Sequence, residues 1–425
     1  MNLFAFGSNG SGQLGIGHTE DVSTPTQCLF TPASTENQHN SVAQKDKIVQ
    51  IVAGGNHTLL LTQKGHVYAA GYNSDGRCGP THINSNEVKA SSEQAEENIL
   101  QFQRVILTDS TGTVDTFKSI SATWEASILV ADMSGQFNKV FVQGSAVKGE
   151  LGIGEKTKAA AVTPGTSIPD FPPRGTTVSA LASGMGHTVA ILSNGQVYGW
   201  GGSRKGQLGE GLKGKKIVWS PTRIEAPFAA TDAVCGREFT VLIGKREEGE
   251  FVVLGDKGNR WGVLDVNDSE ALRVRIRGKG VGASVDSSGA SASAMGGSEL
   301  WRLKDIGASW HGIYAHVAPD DRSSPVAVES PLIAWGRNDR GQLPPSDLPA
   351  LDKLAVGSEH VVALLQDGSV ATFGWGEHGN CGPDTDLRGN VAGMYKIISL
   401  PDVMHVAGRV VGVGAGCATS WVIVD

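Results

Sequence analysis

The sequence predicts an all-β chain, a seven-bladed β-propeller whose ring is closed by pairing N- and C-terminal strands in one blade. Three observations predict it. A unit of two apolar strands and a glycine-rich loop recurs along the chain. Glycine, at 57 of 425 residues, is about twice as frequent as usual and follows no collagen period, which suggests many tight turns at positive φ. The two ends carry complementary halves of the unit. A blade cannot bury both of its faces alone, so units must stack around an axis, and pairing the ends leaves no free sheet edge there. Residues 1–425 are therefore expected to be a single propeller domain, although the length alone would suggest two or three domains.

Taken in order, the chain opens on the second half of a unit, MNLFAFGSNGSGQLG (1–15). AGGNHTLLLTQKGHVYAAGYNSDGRCG (53–79) is a whole copy: a glycine, two variable residues, His-Thr, an apolar strand, a turn, a second strand and a glycine-rich loop. A degenerate copy begins at SATWEASILV (121), and SGMGHTVAILSNGQVYGWGGSRKGQLGEG (183–211) is the clearest. VCGREFTVLI (234) and GASWHGIYAHV (307) begin degenerate copies, VGSEHVVALLQDGSVATFGWGEHGNCG (356–382) is whole, and GAGCATSWVIVD (414–425) is the missing first half. Turns such as SNG (193–195) and QDG (366–368) are the glycine-containing loops that hairpins use. Polar insertions are expected at 31–47, 81–98 and 265–299, the last including a low-complexity stretch. Just before that stretch, RVRIRGKG (273–280) sets Arg273, Arg275, Arg277 and Lys279 on alternating positions. That pattern fits a solvated edge strand guarded by charge, with an anion or RNA contact as the alternative.

Composition narrows the function. A net charge of −7 speaks against a general nucleic-acid binder, whose footprint is basic. No run of 18 apolar residues occurs, so no membrane span is expected. The first residues lack the charged and apolar regions of a secretory signal, and a cytoplasmic, possibly also nuclear, protein is the expectation. The five cysteines, Cys28, Cys78, Cys235, Cys381 and Cys417, contain no CxxC pair, so no zinc or redox motif is supported and no cofactor is expected.

GWGEHGNCG (374–382) has the residue types of an active or metal site. Aligned with the better copies, Cys381 falls where Leu208 and Cys78 stand, an inward apolar position. One histidine without an HxH or CxxC neighbour is too few ligands for a metal, which leaves Glu377 and His378 as an exposed polar pair. His57, His187 and His360 occupy one repeated position and are expected to be buried and bonded to backbone at the strand start, not catalytic. Trp200, Trp335 and Trp375 precede a glycine in the second strand, where core packing is favoured. The glycine loops match G-x-G-x-x-G only superficially, because no strand-helix unit surrounds them.

The variable pair between Gly and His must form a circle of loops on one face. Around the ring it reads Gly55-Asn56, Trp124-Glu125, Met185-Gly186, Arg237-Glu238, Trp310-His311, Ser358-Glu359 and Cys417-Ala418. Trp, Met and Arg are enriched in interface cores. The alternative is that Trp124 and Trp310 fold back onto neighbouring blades.

The repeat G-x-x-H-T…G-x-V-Y-x-W-G-x-N-x-x-G-Q-L-G resembles that of the regulator of chromosome condensation propellers, over the whole chain. Within them, FAFGSNGSGQLGIGHTEDVSTP (4–25), GGNHTLLLT (54–62), GWGEHGNCG and GCATSWVIV (416–424) are most similar to the fungal killer-toxin-insensitivity accessory branch. That resemblance implies a non-enzymatic partner of a small CSL-type zinc-ribbon protein, a metal-binding electron carrier. Through it the chain would support diphthamide synthesis and Elongator-dependent modification of tRNA wobble uridines. The expected contact set is Trp124, Arg237, Trp310, Glu359, Trp375, Glu377 and His378, with Asn9 and Asn56 at its edge. The alternative is a guanine nucleotide exchange factor for a small nuclear GTPase. The basic tail of that founding type is not evident before the first strand at about Leu3, and the chain is acidic.

Overall fold

The computed structural model describes residues 2–31, 46–80, 98–110, 112–133, 137–145, 147–155, 165–269, 301–319, 332–401 and 408–425. Seven antiparallel sheets form the blades of a β-propeller. Blade 1 comprises Ile48–Ala53, His57–Thr62, Val67–Tyr72 and Asn98–Arg104; blade 2, Ser119–Ala122, Ala126–Met133 and Phe137–Gly144. Blade 3 comprises Val178–Ser183, His187–Leu192, Val197–Gly202 and Ile217–Ile224; blade 4, Asp232–Cys235, Phe239–Ile243 and Phe251–Gly255. Blade 5 comprises Trp301–Ala308, Gly312–Pro319 and Leu332–Gly336; blade 6, Leu351–Val356, His360–Leu365, Val370–Trp375 and Asn390–Ile397. Blade 7 joins Val410–Ala415 and Thr419–Val424 to the N-terminal Asn2–Gly7 and Val22–Gln27. The first strand of each blade touches the first strands of both neighbours all the way round. These strands therefore line the central channel, and the circle is closed.

The closing joint is an unbroken antiparallel register from Asn2 opposite Val424 to Gly7 opposite Thr419. Alternation along Asn2–Gly7 serves both of its neighbours. Leu3 and Ala5 pack with Ile48, Leu60 and Tyr68 of blade 1, whereas Phe4 and Phe6 pack with Val362 and Leu364 of blade 6. Second strands such as His57–Thr62 and His360–Leu365 are buried along their whole length. Each lies between two other blades, so an unbroken apolar run replaces the alternation of a one-sided sheet.

Trp200 and Trp335 are core residues, as their position predicts, and each indole N–H reaches a carbonyl, Glu150 O at 2.8 Å and Val263 O at 3.1 Å. Trp375 is not. Gly374, at φ 108°, pairs with His360 just as Gly201, at φ 95°, pairs with His187. Phe373 is thus the counterpart of Trp200, and Trp375 stands one place beyond Gly374, as the last residue of its strand and half exposed. The three insertions named from the sequence fall largely, and RVRIRGKG entirely, outside the described residues.

Candidate functional site: a tryptophan and arginine belt over one channel mouth

The loops between first and second strands of all seven blades converge on one mouth of the channel. Backbone hydrogen bonds stitch neighbouring blades together there. Gly55 N donates to Trp124 O, Trp124 N to Met185 O, Arg237 N to Trp310 O, Trp310 N to Ser358 O and Ser358 N to Gly416 O, at 2.8–3.1 Å. This stitching holds Trp124, Met185 and Trp310 at the rim of the mouth, which they line.

Trp124 and Trp310 come from opposite sides of the ring and meet over the mouth, with ring centroids 5.7 Å apart. They pack on each other and remain partly exposed, so neither indole is folded away completely. The Trp124 ring also lies so close to Gly55 that a Cβ there would sit 2.6 Å from Cε2. Arg237 stacks on Trp310 at 5.6 Å.

From His311 the cluster continues outwards through residues that the circle of variable pairs did not include. The His311 ring lies 6.2 Å from that of Trp261, over which stand Arg260 at 4.4 Å and Arg337 at 5.2 Å. Arg340 covers Trp375 at 5.2 Å, and Trp375 meets His378 edge-on at 5.4 Å. Arg337 and Arg340 share the loop 337–342, so the two groups form a belt from the channel mouth towards the edge of blade 6. Burial first, then the guanidiniums of Arg237, Arg337 and Arg260, lower the His311 pKa to about 4. A neutral His311 beside arginines marks a local positive potential on an acidic protein. Arg337 is neutralised by Asp339 and by Glu359, which it meets at 2.5 Å. Among the described residues Arg237, Arg260 and Arg340 have no carboxylate partner.

The remaining sequence candidates divide. Glu377 is exposed, accepting a hydrogen bond from the Trp375 indole at 3.1 Å, and His378 pairs with Asp21 at 2.8 Å. Asn56 is exposed on the same face. Glu359 is buried, and its carboxylate holds Arg337 and Gln342 from below. Asn9 is fully buried and staples its own loop, accepting from Leu14 N at 3.0 Å and donating to His18 O at 2.6 Å. Its side chain offers nothing to the face, since the polar groups of a tight glycine loop need internal partners. In GWGEHGNCG the Cys381 side chain is buried in the core while His378 turns to the surface, so the two cannot share a ligand.

The repeated histidines are buried as expected, with the backbone of Phe239 and Thr419 at strand starts beside His187 and His360, and in each the Nε2 bond goes to a side-chain hydroxyl. His57 Nε2 meets Ser127 Oγ at 2.9 Å, His187 meets Thr240 Oγ1 at 3.0 Å and His360 meets Ser420 Oγ at 2.9 Å. Each hydroxyl belongs to the next blade and itself donates to a loop carbonyl of the histidine's blade: Arg77 O, Gln207 O or Asn380 O. A hydroxyl has one proton, so the imidazole donates from Nε2. These histidines are latches between blades.

The chain matches the regulator of chromosome condensation (RCC1) repeat over residues 2–61 and 194–243, and a second form of that repeat over 48–77 and 178–207. An RCC1 repeat-containing protein of Schizosaccharomyces pombe is 29% identical over all of this chain and 99% of its own length. The secretion-regulating guanine nucleotide exchange factor of Mus musculus is 25% identical over 90% of this chain and 76% of its own length. Human WBSCR16 superposes with a TM-score of 0.65 at 17% identity, each chain fully covered. Prp20p of Saccharomyces cerevisiae, described for its binding to Gsp1p and histones, superposes with a TM-score of 0.63 at 18% identity, over 99% of this chain and 90% of its own.

Proposed function

We propose that this RCC1-repeat propeller acts by binding another protein on the tryptophan and arginine belt, with no bond-making chemistry of its own. The belt itself carries the reading. Trp and Arg are the residue types that dominate binding energy when clustered at the centre of an interface. A belt held by inter-blade hydrogen bonds is pre-ordered, so little conformational entropy is lost on association. The favoured activity is guanine nucleotide exchange on a small nuclear GTPase, supported by the name of the mouse relative, which matches most of this chain. Exchange then follows from differential affinity: a face that prefers the nucleotide-free state accelerates nucleotide loss. The test is release of a fluorescent GDP analogue from such a GTPase. Acceleration is expected, and Trp310→Ala should cut it by the equivalent of about 2–4 kcal/mol of binding. An unchanged release rate would remove this activity.

A second reading is favoured by one feature, the loop bearing Trp375, Glu377 and His378, which departs from the repeat and presents all three outwards. In that reading the face caps a small CSL-type metal-binding electron carrier in a heterodimer that supports diphthamide synthesis and Elongator-dependent tRNA wobble-uridine modification. Calorimetric titration with the metal-loaded carrier decides it. One-to-one binding weakened by Trp375→Ala and Trp310→Ala supports capping, and no heat at micromolar concentration rejects it. Either function would be exercised in the cytoplasm or nucleus.

A further inference from the structure

The repeat has an exception at the opposite end of the ring. The fifth residue of each second strand is buried, and blades 1, 2, 3, 4, 6 and 7 place Leu61, Val130, Ile191, Ile243, Leu364 and Ile423 there. Blade 5 places His316, which is 1% exposed, with neither ring nitrogen hydrogen-bonded to protein. An imidazole at a site built for an aliphatic side chain is costly unless something satisfies it.

His316 lines a cavity of about 550 Å³ at the mouth remote from the tryptophans, within the size range of small-molecule sites. Lys47, Lys304, Lys353, Asp305 and Asp352 line it as well. Asp305 lies 3.8 Å from Arg246, and Asp352 lies 3.9 Å from Lys304. Lys304 Nζ also donates to Asp352 O at 2.9 Å, and Lys353 Nζ donates to Val411 O at 2.7 Å. Each ammonium keeps further N–H donors. Asp352 thus has Lys304, Asp305 shares Arg246 with Asp232, which Arg246 meets at 2.6 Å, and the Lys47 and Lys353 ammoniums have no carboxylate partner among the described residues. Burial, and then the charge of Lys304, keep the imidazole neutral, with its pKa lowered to about 4. A neutral ring offers one N–H donor and one acceptor.

We infer that this cavity is a binding site for a small oxyanion-bearing molecule, a phosphate or carboxylate, held by Lys47 and Lys353 with His316 hydrogen-bonding its polar end. The site lies on the other side of the ring from the proposed protein interface and stands independently of it. Inorganic phosphate and citrate are the probes, titrated separately into the full-length protein at low salt and followed through the histidine ring resonances by NMR. Saturable shifts of the His316 resonances by one probe are expected, and the responding probe identifies the anion chemistry. His316→Leu restores the residue type of the other blades and should fold with a raised thermal midpoint while weakening binding by about tenfold or more, and Lys47→Ala should also weaken it. Trp310→Ala should leave it unchanged. No shift with either probe, or equal binding by His316→Leu, would overturn the site.

Discussion

At the scale of single residues, the belt depends on groups beneath it. Glu359 reads from the sequence as a contact residue, yet it is buried and works by fixing Arg337, which in turn covers Trp261. Removing its charge leaves Arg337 with Asp339 alone. Hydrogen bonds to charged groups are worth about 1.5–3 kcal/mol. Glu359→Gln should therefore lower the urea-unfolding free energy by about that amount. It should also loosen the Trp261 environment, seen as a change in near-ultraviolet circular dichroism. A neutral effect on both would show that Asp339 alone positions the guanidinium. Glu377, whose side chain is exposed, gives the contrasting case: Glu377→Gln should be nearly silent in stability, because exposed charges contribute little.

At the scale of elements, the strand plan was legible because every copy shares glycines and apolar runs that obey one backbone geometry. The belt was only half legible. Trp124, Arg237 and Trp310 stand at a position that the repeat defines, so they could be found by counting from the next strand. Trp261 and Arg260 sit in a glycine loop whose spacing departs from GGSRKGQL (201–208), so alignment fails there, whereas Arg340 aligns with Lys205 and reads as one more exposed cation. The available signal was that LGDKGNRWG (254–262) and WGRNDRGQL (335–343) replace small polar residues with Trp and Arg. Trp375 reads one place out of register, because Gly374 and Gly376 both flank it and only the pairing of Gly374 with His360 shows which is the counterpart of Gly201.

The latches between elements have a pH signature. Burial holds the pKa of His57 down to about 3, and those of His187 and His360 down to about 4. The unfolded chain takes up protons near pH 6.5 and the folded one does not, so stability is full above pH 6.5 and falls as pH drops towards 4. Each latch contributes a slope of up to about 1.4 kcal/mol per pH unit in that window. Replacing His187 by Asn should cost stability at pH 7.5 but flatten the decline measured by denaturant titration between pH 6.5 and 4.5. An unchanged slope would mean that His187 is protonated in the folded ring.

At the scale of the whole molecule, stability is a property of a closed circle, and the closing blade is where the circle can be opened without cutting the chain. Asn2–Gly7 contributes to two cores at once, Leu3 and Ala5 to the junction with blade 1, Phe4 and Phe6 to the junction with blade 6. Its loss also leaves the Thr419–Val424 strand with an unpaired edge, which invites pairing with another chain. Replacing a buried Phe by Ala costs about 3–5 kcal/mol, a large share of the marginal stability of any domain. If the seven blades unfold as one cooperative unit, Phe6→Ala shifts a single transition and lowers hydrogen-exchange protection throughout the ring. If the ring first unzips at blade 7, Phe6→Ala accelerates exchange in Asn2–Gly7 and Thr419–Val424 well before blades 2 to 5 respond. The latch geometry favours the second course. His360 ties blade 6 to Ser420 of the inner half of blade 7, whereas on the blade 6 side the N-terminal half is held by apolar packing and one exposed pair, His378 with Asp21, and on the blade 1 side by hydrogen bonds such as Thr58 Oγ1 to Gln13 O at 2.7 Å. Exchange measured by mass spectrometry at pH 7 should therefore show the N-terminal strands opening first, with the belt on blades 2, 4 and 5 still protected. Simultaneous loss of protection in all blades would show instead that closure is as strong as every other junction.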